Sequence, residues 1–412
     1  MNQVQALKKL KEIEQGLSKE FEKLSNISLS NQKKVLCAFQ KERVVLSDFA
    51  CSSGYGYDDV GKTKLSKVFA NTFGAQAAIA SPLLTCGTHT LSTALFGMLR
   101  PGDLFVSIGE VYDTLHDIIS GKNNGSLAEW GVKYKEIKFN GNMSELDGIK
   151  AQISAMKPRL VFIQRSRGYT KRKDGYSISE LKELIALVKS VSKEIIVMVD
   201  NCYGEFTEEK EPTQVGADII AGSLIKNPGG GIAPTGGYIA GKKKLIDLIA
   251  GRFTAPSLGT EVGSYNASYQ PFFEGLFIAP HTVSRVLKGS MLLEKTLEFC
   301  GIKSLPNGIP HDIVRSITFN NKDKLITFIQ NVQKISPVDS HLLPLPWAMP
   351  GYKDEVIMAA GTFVQGSSIE LSCDAPIKPP YIAYIQGGLT YEHIQILCLN
   401  LLELEQSSEQ GE

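Results

Sequence analysis

Two residues of complementary chemistry follow neighbouring apolar runs: Asp200 closes EIIVMVD, and Lys226 comes just after ADIIAGS in a loop that continues Asn-Pro-Gly-Gly-Gly. In an open α/β sheet, ligands collect in the crevice outside the carboxyl ends of the strands, so an acid and an amine placed this way reach one ligand. Such a pair suits pyridoxal phosphate. The amine supplies a Schiff base, and the carboxylate keeps the pyridine nitrogen protonated so that the ring draws electrons from the substrate carbon. Taken alone, a strand-end Asp and a loop Lys are also what a turn cap and a solvated charge look like. The surroundings favour the chemistry: Ser223, three residues before Lys226, can bring a hydroxyl to a phosphate, and glycines 229–231 let backbone approach closely. A Walker-type nucleotide loop fits less well, because Lys226 precedes the glycines and no G-x-x-x-x-G-K-[ST] occurs.

Upstream, AQAAIAS leads through PLLTC to Gly87-Thr88-His89-Thr90 and directly into a helical pattern. That places Gly87 and Thr88 at a helix N-terminus, which is an anion cradle or an ordinary N-cap. Tyr112, in GEVYDTLHD, follows the strand DLFVSI on the same sheet edge, where its ring either stacks on a flat cofactor or fills the core. Tyr55 and Tyr57, in SSGYGYDD, lie in a Gly-rich loop with the reach to enter a partner subunit. Cys86, Cys202 and Cys373 are close in sequence to these candidates but form no ordered Cys-His-Asp pattern, and they read as packing residues. His89 reads as an end-of-helix hydrogen bonder.

The elements that must position these groups alternate. LSKVFANTF, THTLSTALFGML and SISELKELIALVKSV have helical periodicity, and AQAAIAS, DLFVSI, WGVKYKEI, RLVFIQ, EIIVMVD, ADIIAGS and GGYIAG read as strands. Apolar strands alternating with helices predict a doubly wound, mostly parallel α/β sheet covered on both faces. Leu7, Leu10, Ile13, Leu17 and Phe21 mark an amphipathic N-terminal helix. VSRVLKGSMLLEKTLEF predicts a further helix; beyond it CGIKSLPNGIPHD is turn-rich, and SITFNN, KLITFIQNVQKI, SSIELSC and YEHIQILCLNLLEL make a smaller α+β unit. The expected division is a helical arm and inter-subunit loop over 1–60, a large cofactor-binding domain over 61–305 and a small C-terminal domain over 306–412, whose tail EQSSEQGE is frayed.

Composition narrows the function classes. With 412 residues the chain can bury a large core, and 43% hydrophobic against 21% charged residues exclude a disordered protein. Lys plus Arg number 44 and Asp plus Glu 43, leaving no global field for a nucleic acid or an anionic membrane. The seven scattered cysteines include no C-x-x-C pair, so neither a disulfide framework nor a metal site is expected. The charged N-terminus has no apolar signal region and no run reaches about 18 apolar residues, so the cytoplasm is the expected location.

The chain resembles the methionine gamma-lyase-like, or aluminium-resistance, family of fold-type I pyridoxal-phosphate proteins. The segments that carry the resemblance are GYGYDDVGKTKL, CGTHTLSTALFGMLRPGD, YDTL, FIQRSRGY, VDNCYGEF, GADIIAGSLIKNPGGGIAPTGGYIAG, EGLFIAP and YIQGGLTYEH, spread over roughly residues 25–405. The resemblance implies that Lys226 is the cofactor-binding lysine, Asp200 the pyridine partner and Tyr112 the stacking ring, with Gly87, Thr88 and Ser223 on the phosphate. It also implies that the Tyr57 loop enters a neighbouring subunit's site in a homodimer or homotetramer. Three positions depart from the pattern: Lys62 and Lys378 stand where arginine is usual, and Ser81 where another arginine is common. Lysine offers a point charge where arginine forks an anion. Glu370, read as lying in the strand SSIELS, occupies the place of a substrate-carboxylate arginine, which leaves that clamp to Arg167 or Lys378, with Tyr55 also on the substrate side. Arg165 and Arg167 read equally well as structural ion-pair members.

The function expected is a lyase that breaks the carbon–sulfur bond of a sulfur amino acid of the cystathionine, cysteine or methionine type, by α-proton abstraction and β- or γ-elimination. The alternatives are a transferase using the same cofactor, by γ-replacement or transamination, a non-catalytic pyridoxal-phosphate-binding protein, and a nucleotide-binding module built on the glycine loop.

Overall fold

Strands of five residues, most of them apolar and most of them separated by helices, set the larger half of the molecule. The computed structural model describes residues 1–120, 124–170, 172–349 and 354–409. Seven strands, β1 (Ala77–Ser81), β2 (Leu104–Ile108), β3 (Lys133–Ile137), β4 (Leu160–Gln164), β5 (Ile196–Asp200), β6 (Ile219–Ser223) and β7 (Gly237–Gly241), form one sheet. Their order is β1-β7-β6-β5-β4-β2-β3. Every pairing from β6 to β3 is parallel, and β7 runs antiparallel to both β6 and β1. The architecture is the mostly parallel α/β sheet of fold type I.

Side chains alternate across the pleat, so this sheet feeds two cores. Val161, Ile163, Val197, Val199 and Ile220 pack on one face, and Leu160, Phe162, Ile196, Met198 and Ile219 on the other. Burial on both faces explains why the central strands β4, β5 and β6 read as apolar runs.

The second sheet is antiparallel throughout, in the order β10-β11-β12-β9-β8, from β8 (Lys303–Leu305), β9 (Val314–Thr318), β10 (Val356–Ala359), β11 (Ser372–Pro376) and β12 (Ile382–Gln386). The helix Gln270–Phe299 joins the halves, lodging Leu276, Val283 and Leu287 in a core of the first sheet and Leu292, Leu293 and Leu297 in that of the second. It begins well before the VSRVLKGSMLLEKTLEF segment and continues through Pro280. An interior proline costs a helix about 3 kcal/mol, which burial of Phe272, Phe273, Leu276 and Val283 outweighs at roughly 1.5–3 kcal/mol each.

The N-terminal amphipathic pattern resolves into two helices, Gln3–Gly16 and Ser18–Lys41, and Ala6 and Leu10 of the first are buried in the core of the second sheet. The tail expected to fray is helical as far as Glu409, within Tyr391–Glu409, and residues 410–412 lie outside the described residues. Among the described residues no helix is long and apolar enough to cross a membrane.

One strand boundary differs from the sequence reading. Glu370 precedes β11 rather than lying in a strand, because its carboxylate accepts the backbone N–H groups of Phe363 at 2.8 Å and Val364 at 2.9 Å and so closes a loop. Gly387, at φ +78°, passes so near this loop that a Cβ there would lie 2.0 Å from the Glu370 carbonyl oxygen.

Candidate active site

Register brings the chemistry to one edge. Gln164 and Asp200 are paired at the carboxyl ends of β4 and β5, and Asp200 pairs with Ala221 in β6, two residues before Ser223. Asp200 is 4% exposed, and its Oδ1 accepts the Cys202 N–H at 3.1 Å. Burial pushes its carboxyl up, opposed by the charge of Lys226 and by the hydrogen bond from Cys202. Lys226 lies between Ser223 and the short 3₁₀ turn Asn227–Gly229, with its Nζ 4.1 Å from the centre of the Tyr203 ring. Burial works against its charge, but Cys202, Tyr203, Asp200 and Tyr112 more than offset that and hold the amine above the ordinary lysine range.

Beside this pair the helix Gly87–Met98 starts at the same edge. A Cβ on Gly87 would lie 3.5 Å from the Ser223 Cβ and 3.8 Å from the Cys202 Sγ, so three loops converge at the helix start. The Ser223 hydroxyl is buried and has no hydrogen-bond partner among the described residues. A lone buried hydroxyl beside the unsatisfied amides of a helix N-terminus fits a phosphate. Tyr112 is fixed there from both ends, its N–H donating to Gln164 Oε1 at 3.1 Å and its hydroxyl to Thr88 Oγ1 at 3.2 Å. Burial, then the Asp200 charge, raises the phenol well above its usual range, so Tyr112 stays neutral. Lys226, Asp200, Tyr112, Gly87, Thr88 and Ser223 therefore share one crevice, and the donors present fit pyridoxal phosphate.

The remaining candidates lie elsewhere. Arg165 is fully buried behind Asn201, bonded to Asn201 Oδ1 at 2.9 Å and ion-paired with Glu208 at 3.3 Å and Glu211 at 3.6 Å. Arg167 lies between the two sheets, its Nη1 donating to Ser316 Oγ at 2.9 Å and its backbone N–H to Asp312 at 2.9 Å, while its Nε is buried with no partner among the described residues. Lys378 is exposed and paired with Asp354 at 2.7 Å. Tyr55 and Tyr57 are exposed, their rings stacked on each other 5.4 Å apart. Lys62 is buried and its Nζ donates to the carbonyls of Gly56 and Glu261, both at 3.3 Å, tying down the tyrosine loop. Ser81 Oγ accepts the Leu83 N–H at 3.1 Å, and His89 Nδ1 accepts that of Thr85 at 3.1 Å. Cys202 and Cys373 are buried, and burial pushes both thiols up, away from nucleophilic use; Cys86 is exposed and caps the helix that follows.

Sequence reasoning missed Gln164, Tyr203 and Glu205. Gln164 ends an apolar strand just as Asp200 does, so the strand-end rule that found the aspartate would have found it too. Glu205 is fully buried, with one carboxyl oxygen accepting from the Tyr238 hydroxyl at 2.8 Å and the other without a partner among the described residues. Burial pushes its carboxyl up to about 8, against the opposing bond from Tyr238. The native protein thus keeps this proton between an unfolded value of 4.5 and about 8, and the stability tied to it is present below 4.5 and is lost as pH rises towards 8. Glu205→Gln keeps the shape and removes the titration. Its melting temperature is expected to gain on the wild type as pH rises from 4.5 to 8, the gap widening by roughly 2 °C or more. Thermal melts across that range check this, and a gap independent of pH contradicts it.

A model of the family described as methionine gamma-lyase matches residues 6–405. The chain belongs to that family. It is 45% identical to a structure from Listeria innocua provisionally named a cystathionine beta-lyase involved in aluminium resistance, with a TM-score of 0.93 over 98% of this chain and 99% of that one. It is 46% identical to a carbon–sulfur lyase involved in aluminium resistance from Clostridium novyi NT, with a TM-score of 0.91 over 97% of this chain and 95% of that one. The pyridoxal-5'-phosphate-dependent protein YhfS of Escherichia coli, 17% identical with a TM-score of 0.62 over 93% of this chain and 97% of that one, shares the fold. The family's cofactor is pyridoxal 5'-phosphate, and its type is the carbon–sulfur lyase related to cystathionine and methionine enzymes.

Proposed function

We propose that this chain eliminates a thiol from a sulfur amino acid of the cystathionine, cysteine or methionine type. The observation that carries the proposal is the convergence of Lys226, Asp200 and the unpartnered Ser223 hydroxyl at the start of the helix Gly87–Met98. When bound, pyridoxal phosphate supplies a conjugated electron sink that makes the substrate's α C–H acidic. Gly87, Thr88 and Ser223 bind the phosphate, and the Tyr112 ring, anchored through Thr88 and Gln164, orients the cofactor plane. Asp200 holds a proton at the pyridine nitrogen, and Lys226 first binds the cofactor and then, as a free amine, takes the proton from the substrate α carbon. For the substrate carboxylate, Arg167 is favoured over Lys378, because a buried guanidinium with an unpartnered Nε is a stronger anion site than an exposed, paired ammonium. The exposed Tyr55–Tyr57 pair suits a loop completed by a second copy of the chain, giving a homodimer or larger homo-oligomer working in a soluble compartment.

The test is product analysis with pyridoxal phosphate and cystathionine, cysteine or methionine in turn. At least one should yield a 2-oxo acid, ammonia and a thiol in equal amounts, pyruvate marking β-elimination and 2-oxobutyrate γ-elimination. Turnover of none of them, or consumption of an added thiol without 2-oxo acid, contradicts elimination.

A further inference from the structure

Tyr203 is placed at a cost. It and Phe206 have φ of +71° and +63°, two non-glycine residues in the left-handed region within the turn that follows Asp200. A side chain held there is strained, and such positions persist where the surroundings impose them. Here the strain turns the Tyr203 ring under Lys226, with the Nζ 4.1 Å from its centre. At the far end of the ring, the hydroxyl lies 3.1 Å from Ser368 Oγ, in the loop that Glu370 closes ahead of β11. One side chain thus touches both the lysine of the first sheet and a loop of the second.

Resting on the assignment of Lys226 above, we infer that Tyr203 is a positioning residue for that lysine. Its ring face holds the Lys226 ammonium while the site carries no cofactor, and its hydroxyl ties this resting place to the 363–370 loop. The ring's negative face favours the charged amine, and more so out of water. Asp200, Cys202, Tyr112 and Glu205 are the other titratable groups facing the lysine, and none of them lies under the ammonium in the same way. The arrangement keeps the amine of the cofactor-free protein in one place, where the cofactor meets it, rather than free to wander in the crevice.

Competitive acetylation of the cofactor-free full-length protein, read at the Lys226 peptide by mass spectrometry across pH, tests this. Removal of the ring in Tyr203→Leu is expected to lower the labelling midpoint by roughly 0.5–1.5 pH units, which is about three- to thirtyfold faster labelling at pH 9. Tyr203→Phe keeps the ring and should label as wild type. Greater access alone would scale the curve without moving its midpoint. If Tyr203→Leu does not fold, Tyr203→Asn, which tolerates the left-handed backbone, carries the same expectation. Loss of the hydroxyl bond in Tyr203→Phe or Ser368→Ala should speed amide exchange in 363–370 by roughly two- to tenfold. A midpoint unmoved in the ring-less variants, or moved equally in Tyr203→Phe, overturns the inference. Borohydride reduction of the cofactor-loaded variants keeps the two claims apart. Failure to label Lys226 with cofactor breaks the site assignment, whereas an unmoved midpoint with normal cofactor labelling breaks only the role of Tyr203.

Discussion

Lys226→Ala is expected to lower elimination at least roughly 1,000-fold while leaving the fold intact, because in the role proposed for it the lysine is both the cofactor attachment and the base for the α proton. The fold should survive because the backbone at this position is held independently of the side chain: its N–H donates to the Ser223 carbonyl and its carbonyl accepts from Gly229. The side chain contributes chiefly a cation over the Tyr203 ring. Lys226→Arg should be nearly as inactive, since a guanidinium keeps the charge but supplies neither a nucleophile nor a base. A small amine such as methylamine, added to the alanine variant, should restore a measurable fraction of turnover, which a misfolded protein would not show. Steady-state 2-oxo acid production with and without amine checks this; activity within tenfold of wild type would contradict the roles assigned to Lys226.

Asp200→Ala should lower kcat/KM by about 100- to 1,000-fold, the effect of removing one preorganised electrostatic partner from a buried site. The carboxylate lies 4% exposed at the end of β5, where Lys226 stabilises its charge against burial. In the proposed site this carboxylate is the group that keeps the pyridine nitrogen protonated. Asp200→Asn separates charge from shape: the amide oxygen still accepts from the Cys202 N–H, so the turn is preserved, yet the rate should fall nearly as far. The same substitutions remove a group that favours the Lys226 ammonium, so the pH at which the free lysine is half charged should move down. Rate measurements over pH together with cofactor titrations check both effects. Full activity in Asp200→Asn would show that no charge is needed at this nitrogen.

The parts of the site that were legible in the sequence share one property. Asp200, Ser223 and Lys226 sit at the ends of apolar runs, and Gly87 and Thr88 begin a helix directly after one, so local pattern alone places them on one sheet edge. The apolar runs also reported the doubly wound sheet correctly, because strands buried on both faces have no polar alternation to blur their limits. What was not legible depends on long-range packing. Glu370 sits in a β-like stretch, yet its carboxylate closes a loop with Phe363 and Val364, a bond no periodicity announces. The helix through Pro280 exists because its flanks are buried on two cores. Tyr203 was hidden for a similar reason: a positive φ at tyrosine is imposed by the fold and leaves no trace in composition. Arg165 shows the converse, an arginine whose sequence context suits either a site or an ion pair and which the structure places in a buried pair with Glu211.

The central claim is that Lys226 carries the cofactor in a crevice where Ser223 and the helix start at Gly87 hold its phosphate. Borohydride reduction of the full-length protein loaded with pyridoxal phosphate, followed by peptide mapping, tests it most directly. The account predicts a stable pyridoxyl group on the peptide containing Lys226 and on no other lysine peptide, with loading weakened in Ser223→Ala. A modification spread over surface lysines, or one fixed on a different lysine, would contradict it.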